Sequence, residues 1–296
     1  MNVLDRLDQW QRRRRFIGFI HAVIRKYDDD QAGFQAALLT YYGFLALFPL
    51  LLILSTVTAL LTGSHSGLQT HIVDSTTSYF PLLGQQLSDH VHSLHKSGLA
   101  LLIGLLFTLY GARGVANAFR LGVNVLWRIP RREQAGGLDG MRKNFTIIVV
   151  GGLGFILAAI CTSLTAAAGH MFIFRVLSLI VDVGVLFWLF QFLLNISLPE
   201  HIPLKDTRAA AMCAAIGLVL LQSLGGVLLK HELKNLDALY SYFALALGLL
   251  FWLYLQAQVV YFAVEVAATH REKLWPRGLT DNDPTAADKR AAEHQF

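Results

Sequence analysis

Long charge-free apolar runs alternate along this chain with short polar breaks. The first run, Ala36 to Leu61 (AALLTYYGFLALFPLLLILSTVTALL), contains no charged residue. At roughly 1.5 Å of rise per residue it is long enough to cross a bilayer, which takes about 20 mostly apolar residues. Five comparable runs follow it. The pattern predicts an all-α, polytopic membrane helix bundle with six transmembrane helices, at about 36–61, 99–120, 145–168, 176–198, 209–229 and 240–269. The second helix is expected to continue past its span to about Trp127.

The flanks of this 34–270 bundle follow other patterns. Residues 1–33 form a cytoplasmic basic amphipathic segment, in which Trp10, Phe16, Ile17, Phe19, Ile20, Val23 and Ile24 alternate with arginines at helical spacing. Such a helix suits either an anionic membrane surface or the side of its own bundle, and the sequence leaves both open. Asp28 to Asp30 stand just before the first span, where acidic groups complement a helix N-terminus. In the polar first outer loop, 62–97, Leu87, Val91 and Leu94 recur at helical spacing and predict a short amphipathic helix over about 85–96. Residues 271–296 read as a polar cytoplasmic tail, with Pro276 and Pro284, that ends disordered. The N-terminal segment does not read as a cleaved signal peptide, because its apolar run is broken by His21, Arg25, Lys26 and the aspartates.

Two features interrupt the spans themselves. Pro49 removes a backbone donor near the middle of the first and clashes one turn back at Leu45, which predicts a kink. Gly225-Gly226 lie near the end of the fifth. Both sites are candidate hinges, with ordinary repacking around a helix break as the alternative.

Composition agrees with a lipid-embedded fold. Of 296 residues, 54% are hydrophobic and 15% charged, against about 25% charged in a soluble domain. Cys161 and Cys213 fall in different spans at depths too unlike for a disulfide. The formal net charge of +5 does not point to nucleic acid, because the 25 lysines and arginines follow topology. Twenty fall on the side of the two termini, four on the opposite side, and Arg113 lies inside the second span. By the positive-inside rule both termini are cytoplasmic, and the basic face would meet anionic phospholipids of the bilayer. No nucleic-acid partner is expected; a homo-oligomer is left open.

The order of the motifs carries a resemblance. An acidic entry into AALLTYYGFLALFPLL, then VNVLWRIPRRE after the second span, then YSYFALALGLLFWLYLQAQVVYFAVEVA at the end, is similar to the YihY/BrkB family of bacterial inner-membrane proteins. The resemblance spans roughly 25–270, with Tyr41, Leu47, Phe48, Pro49, Asn124, Trp127, Trp252, Tyr254 and Glu265 at family positions. Ala46 and Ala263 depart from it, standing where serine and glycine are common. It implies a six-span, multi-pass protein of the bacterial inner membrane with no firmly assigned activity, in a family once labelled a ribonuclease and in part a serum-resistance factor.

Charged groups inside spans are the first place to seek chemistry, since each costs about 2.5–3.5 kcal/mol at mid-membrane on insertion scales. Arg113 lies in the second span, with Asn117 and Arg120 following on its face. Glu265 lies near the inner end of the sixth at comparable depth, so the geometry allows an Arg113–Glu265 pair, as a polar site on a substrate path or a structural pair, with Glu265 at the membrane interface as the other alternative. Asp182, two turns into the fourth span, is a proton or cation site or a locally paired group. The outer-loop sequence HVHSLH has the histidine spacing of a metallo-nuclease signature but leucine where its aspartate belongs. His92 and His95 share a helical face with Asp89 and are weak metal candidates; a solvated amphipathic helix explains them better. No metal or other cofactor is expected. There is no Walker loop, dinucleotide fingerprint or Ser/His/Asp cluster in the loops, so the chain is not expected to be an enzyme or an ATP-driven pump. The readings that remain are a transporter or permease-like protein with unknown substrate and, as the alternative, a non-transporting scaffold or envelope factor. A nuclease is disfavoured.

Overall fold

Apolar runs with no internal charge form helices because only a helix satisfies every backbone group within its own segment. The computed structural model describes residues 8, 10–12, 14–62, 98–167, 172–232, 238–279 and 284–293. Its helices are α1 (Arg15–Asp29), α2 (Ala32–Thr62), α3 (Gly98–Leu126), α4 (Gly137–Ala167), α5 (Phe172–Ser197), α6 (Leu204–Glu232), α7 (Ala238–Glu272) and α8 (Ala286–Glu293), with a 3-10 turn at Arg131–Glu133. No strand occurs among the described residues. Four stretches there are long and apolar enough to cross a membrane: Gly137–Ala158, Val176–Ser197, Leu204–Gly225 and Ala246–Glu272. The first two predicted spans coincide with α2 and α3. The expected 85–96 helix, with His92 and His95, lies outside the described residues.

Helices α2 to α7 each pack on the next in the chain, and α7 returns to α2, so the bundle closes on itself; α3 also contacts α5 and α7 across it. Its outer surface is apolar: Leu153, Ile156 and Leu157 on α4, Ile180, Trp188 and Phe192 on α5, Leu220 and Leu224 on α6, and Phe251 on α7 are all exposed. In water such a girdle would aggregate; against acyl chains it costs nothing. The interior instead uses small residues to bring helices close. A Cβ on Gly114 of α3 would lie 2.1 Å from the Tyr42 ring of α2.

Helix ends depart from the predicted boundaries in an informative way. α4 begins at Gly137 and not near 145, because Asp139, Arg142 and Lys143 continue the helix beyond the apolar run that marked the span. α2 runs unbroken through Pro49. α6 likewise continues through Gly225-Gly226. Gly225 has a packing reason: a Cβ there would lie 2.1 Å from the Trp252 indole.

Both flanks are folded onto one end of the bundle, termed the terminal face below. α1 buries Gly18, Ala22, Val23, Lys26 and Tyr27, while Phe16, Ile20 and Ile24 stay exposed at four-residue spacing on its other side. Part of the tail, 284–293, is folded; its last three residues lie outside the described residues. Thr285 and Asp288 form a reciprocal capping box: the Thr285 N–H donates to Asp288 Oδ2 at 2.9 Å and the Asp288 N–H to Thr285 Oγ1 at 3.2 Å. That box starts α8, whose Ala287 and Ala291 are buried.

Candidate functional site

Three helices stop at the same place. Past α1, α3 and α7 stand Gln31, Arg128 and Lys273, each non-glycine and each with φ near +50°, a left-handed conformation that costs about 1–2 kcal/mol. After α3 the Ile129 N–H bonds back to the Asn124 carbonyl at 2.9 Å, and after α7 the Leu274 N–H to that of Thr269 at 3.2 Å. These six-to-one closures cap the orphan carbonyls and turn the Arg128 side chain back toward α1.

At this junction the Lys26 side chain is completely buried. Its ammonium donates to Asp30 Oδ2 at 2.6 Å, to the Leu126 carbonyl at 2.7 Å and to Glu265 Oε2 at 2.7 Å. Three oxygens thus meet the three N–H donors of a lysine. Arg128 donates to Asp30 Oδ1 from Nε at 3.0 Å and Nη2 at 2.8 Å, and from Nη1 to the Ala291 carbonyl at 3.0 Å. Burial alone would lower the Arg128 pKa, but the Asp30 carboxylate outweighs it and holds the guanidinium above its ordinary value. Two carboxylates face two cations here, and the Glu272 carboxylate also acts on Arg128. Tyr27, beside Lys26, stacks on Phe262 with centroids 3.9 Å apart, and burial pushes its phenol up to about 12.

A second layer ties the tail to α1. Arg277, almost fully buried, donates to Asp29 Oδ2 at 2.6 Å and Asp288 Oδ1 at 2.9 Å. Gln11 donates to the Arg277 carbonyl at 2.6 Å, and the Leu279 N–H to Asp8 at 2.9 Å. Burial works to raise the Asp288 carboxyl, but the Gly278 N–H, Arg277 and Thr285 more than offset it and hold it at about 2.

The polar face of α3 is different in kind. Arg120 is buried, and its donors go to neutral oxygens: Nε to Asn144 Oδ1 at 2.8 Å, Nη1 to the Ala135 carbonyl at 2.7 Å and Nη2 to Asn117 Oδ1 at 3.3 Å. Among the described residues no carboxylate lies within ion-pair distance of it. Asn124, one turn further, donates to the carbonyls of Arg120 at 2.7 Å and Ser197 at 2.9 Å, fastening α3 to the end of α5.

The Arg113–Glu265 pair that the sequence allows does not form. Glu265 is wholly buried against Lys26, whereas the Arg113 side chain, three turns before the end of α3, is exposed. Similar depth along two helices fixed the height of the groups but not the direction each faces. Asp182 is half-buried on α5, and Asn117 belongs to the Arg120 cradle. Of the family positions, Asn124 and Trp127 are buried in the core, with the Arg271 guanidinium 5.2 Å above the Trp127 ring; Tyr254 is half-buried and Tyr41 exposed. The side chains of Phe48 and Gly226 lie outside the described residues. Of the aspartates before α2, Asp29 binds Arg277 and Asp30 binds Lys26 and Arg128. Sequence reading missed Lys26 as Glu265's partner, though Lys26 and Asp30 stand four apart at a helix end. Among the described residues no cluster of three metal-ligating side chains occurs.

Comparison with known proteins agrees with this architecture. The family described as virulence factor BrkB matches residues 23–288. A UPF0761 membrane protein of Psychrobacter sp. (strain PRwf-1) is 26% identical over 271 residues, covering 86% of this chain and 48% of that protein. One of Acinetobacter baylyi (strain ATCC 33305 / BD413 / ADP1) is 23% identical over 301 residues, covering 94% and 68%. The chain thus spans about half the length of the first relative. No solved structure gives a significant match. With its multiple apolar helices and a match covering most of its length, the chain is a membrane protein that belongs to the BrkB virulence-factor family.

Proposed function

We propose that this protein is a permease-like carrier of small anionic solutes in the bacterial inner membrane, with both termini cytoplasmic. The observation that carries the reading is the α3 stripe. Arg113, Asn117, Arg120 and Asn124 recur at helical spacing, and neither arginine is neutralised by a described carboxylate. A buried cation held by neutral oxygens and not by an ion pair, as Arg120 is, is costly, and functional sites are where such costs are retained. Exposed Arg113 supplies the contact to the solute, while Arg120, locked by its amide cradle, keeps the local potential positive.

A second reading is a non-transporting envelope scaffold. The ion-paired node and the docking of both flanks on one face favour it, since they describe a covered end. Flux decides between them. Protein reconstituted in proteoliposomes is offered a panel of radiolabelled carboxylates, phosphate esters and sulfonates beside size-matched cations and neutral solutes. Uptake of at least one anion above protein-free vesicles, with none of the cations, is expected; a membrane impermeable to the whole panel favours the scaffold.

A further inference from the structure

The two carboxylates that hold Lys26 are treated unequally. Asp30 receives donors on both oxygens, Arg128 on Oδ1 at 2.8 and 3.0 Å and Lys26 on Oδ2 at 2.6 Å. Glu265 receives one donor, Lys26, on Oε2 at 2.7 Å. Its other oxygen, Oε1, is buried and accepts no hydrogen bond. One turn further along α7 the Thr269 hydroxyl is also wholly buried without a partner. Buried polar atoms are normally paired, and an orphaned carboxylate oxygen is a place for a group that the protein does not itself supply.

We propose that Glu265 Oε1 is a proton-binding site, exchanging a proton at the terminal face of the bundle. A carboxylate keeps its charge in proportion to the donors that solvate it. Asp30, with three, is the fixed anion of the node; Glu265, with one, is the anion that can be neutralised at the loss of a single ion pair. The proton adds to Oε1, the carboxylate becomes a carboxylic acid, and Lys26 remains an ammonium. Lys26 is not then stranded, because Asp30 Oδ2 and the Leu126 carbonyl still accept from it. The charged and titratable groups facing Glu265 are Lys26 and Tyr27 from α1, Asp30 from the α1–α2 turn, Arg128 from beyond α3, and Tyr261 on α7. Protonation leaves Lys26 and Arg128 facing Asp30, with Glu272 also acting on Arg128, so the node gains one unit of positive charge next to the negative end of the α3 dipole. The pair that weakens is the buried ion pair joining α1 to α7, so proton uptake loosens the cover that α1 forms over the terminal face. In a permease, a role that rests on the proposed function above, Glu265 is the coupling carboxylate that links anion entry to proton entry.

The test reads the proton and not the flux. Full-length protein labelled with 13C-glutamate is placed in nanodiscs, and infrared difference spectra are recorded as pH is taken from about 8 to about 6, the range in which a working proton site must exchange. A carboxylic acid C=O band at the 13C-shifted position is expected to grow reversibly. Glu265→Gln should abolish it, and Glu265→Asp should move it to the unlabelled position, which keeps the assignment if the glutamine variant does not fold. Glu265 is the one buried glutamate among the described residues. Absence of a glutamate band over this range in folded wild type, or a band untouched by both variants, would overturn the proposal. Since no solute is present, the result stands apart from whether the protein carries anions.

Discussion

Lys26 and Arg120 are both buried cations near the terminal face, and they are handled in opposite ways. Lys26 is surrounded by formal charge: two carboxylates and a helix-end carbonyl at 2.6–2.7 Å, with Arg128 paired to one of the carboxylates. Arg120 is surrounded by dipoles: two asparagine side chains and the Ala135 carbonyl. The first arrangement cancels charge and joins elements far apart in sequence. The second immobilises a charge while leaving its field in place, which is how a site for an arriving anion must be built. One bundle end thus contains a closed electrostatic joint and an uncompensated cationic stripe, and they predict different responses to substitution.

The largest effect should come from the joint. Lys26→Met leaves the wholly buried Glu265 carboxylate uncompensated, and removal of one partner of a buried pair costs about 3–5 kcal/mol. Glu265→Gln should be destabilising as well, and the double variant should lose less than the sum, with a coupling of about 1–3 kcal/mol in thermal unfolding of the detergent-solubilised protein. The same cycle run with Arg113→Met in place of Lys26→Met should be additive, which is where the structure parts from a reading based on depth alone.

A smaller effect belongs to the outer layer of that joint. Asp288 is held at about 2 by its partners, below the roughly 3.9 of an unfolded aspartate. A carboxyl with a depressed folded pKa adds stability above its unfolded value, and that contribution fades as pH falls from about 4 to about 2. Docking of α8 should therefore weaken in that window, seen as earlier pepsin cleavage within 284–293. Asp288→Asn should be cleaved early already at pH 4, with little further change on acidification.

How much of this was readable beforehand depended on the kind of contact. Apolar runs specify helices locally, so α2 to α7 fall where the hydrophobic pattern put them, with errors at ends such as Gly137 where a helix outlasts its apolar stretch. The stripe Arg113, Asn117, Arg120 was visible because helical spacing is itself a local rule. The Lys26–Glu265 pair joins residues 239 apart in sequence and depends on three helices ending together, which no periodicity records. Residues 28–30 illustrate the limit: their charge suggested a helix cap, and only the fold shows Arg277, Lys26 and Arg128 arriving from elsewhere. The helix at 286–293 went unseen for a similar reason, since a polar composition conceals a capping box at Thr285 and Asp288.

Arg113 separates the α3 stripe, as the solute-facing region, from the ion-paired node. Anion uptake is measured in proteoliposomes matched for protein content, comparing wild type, Arg113→Lys and Arg113→Met, with the thermal midpoint of each variant recorded in parallel. Arg113→Met should lose uptake by tenfold or more, Arg113→Lys should retain part of it, and all three should unfold at closely similar temperatures; about 1.4 kcal/mol of lost binding corresponds to each factor of ten. Undiminished uptake by Arg113→Met in a folded protein would contradict a solute-facing stripe.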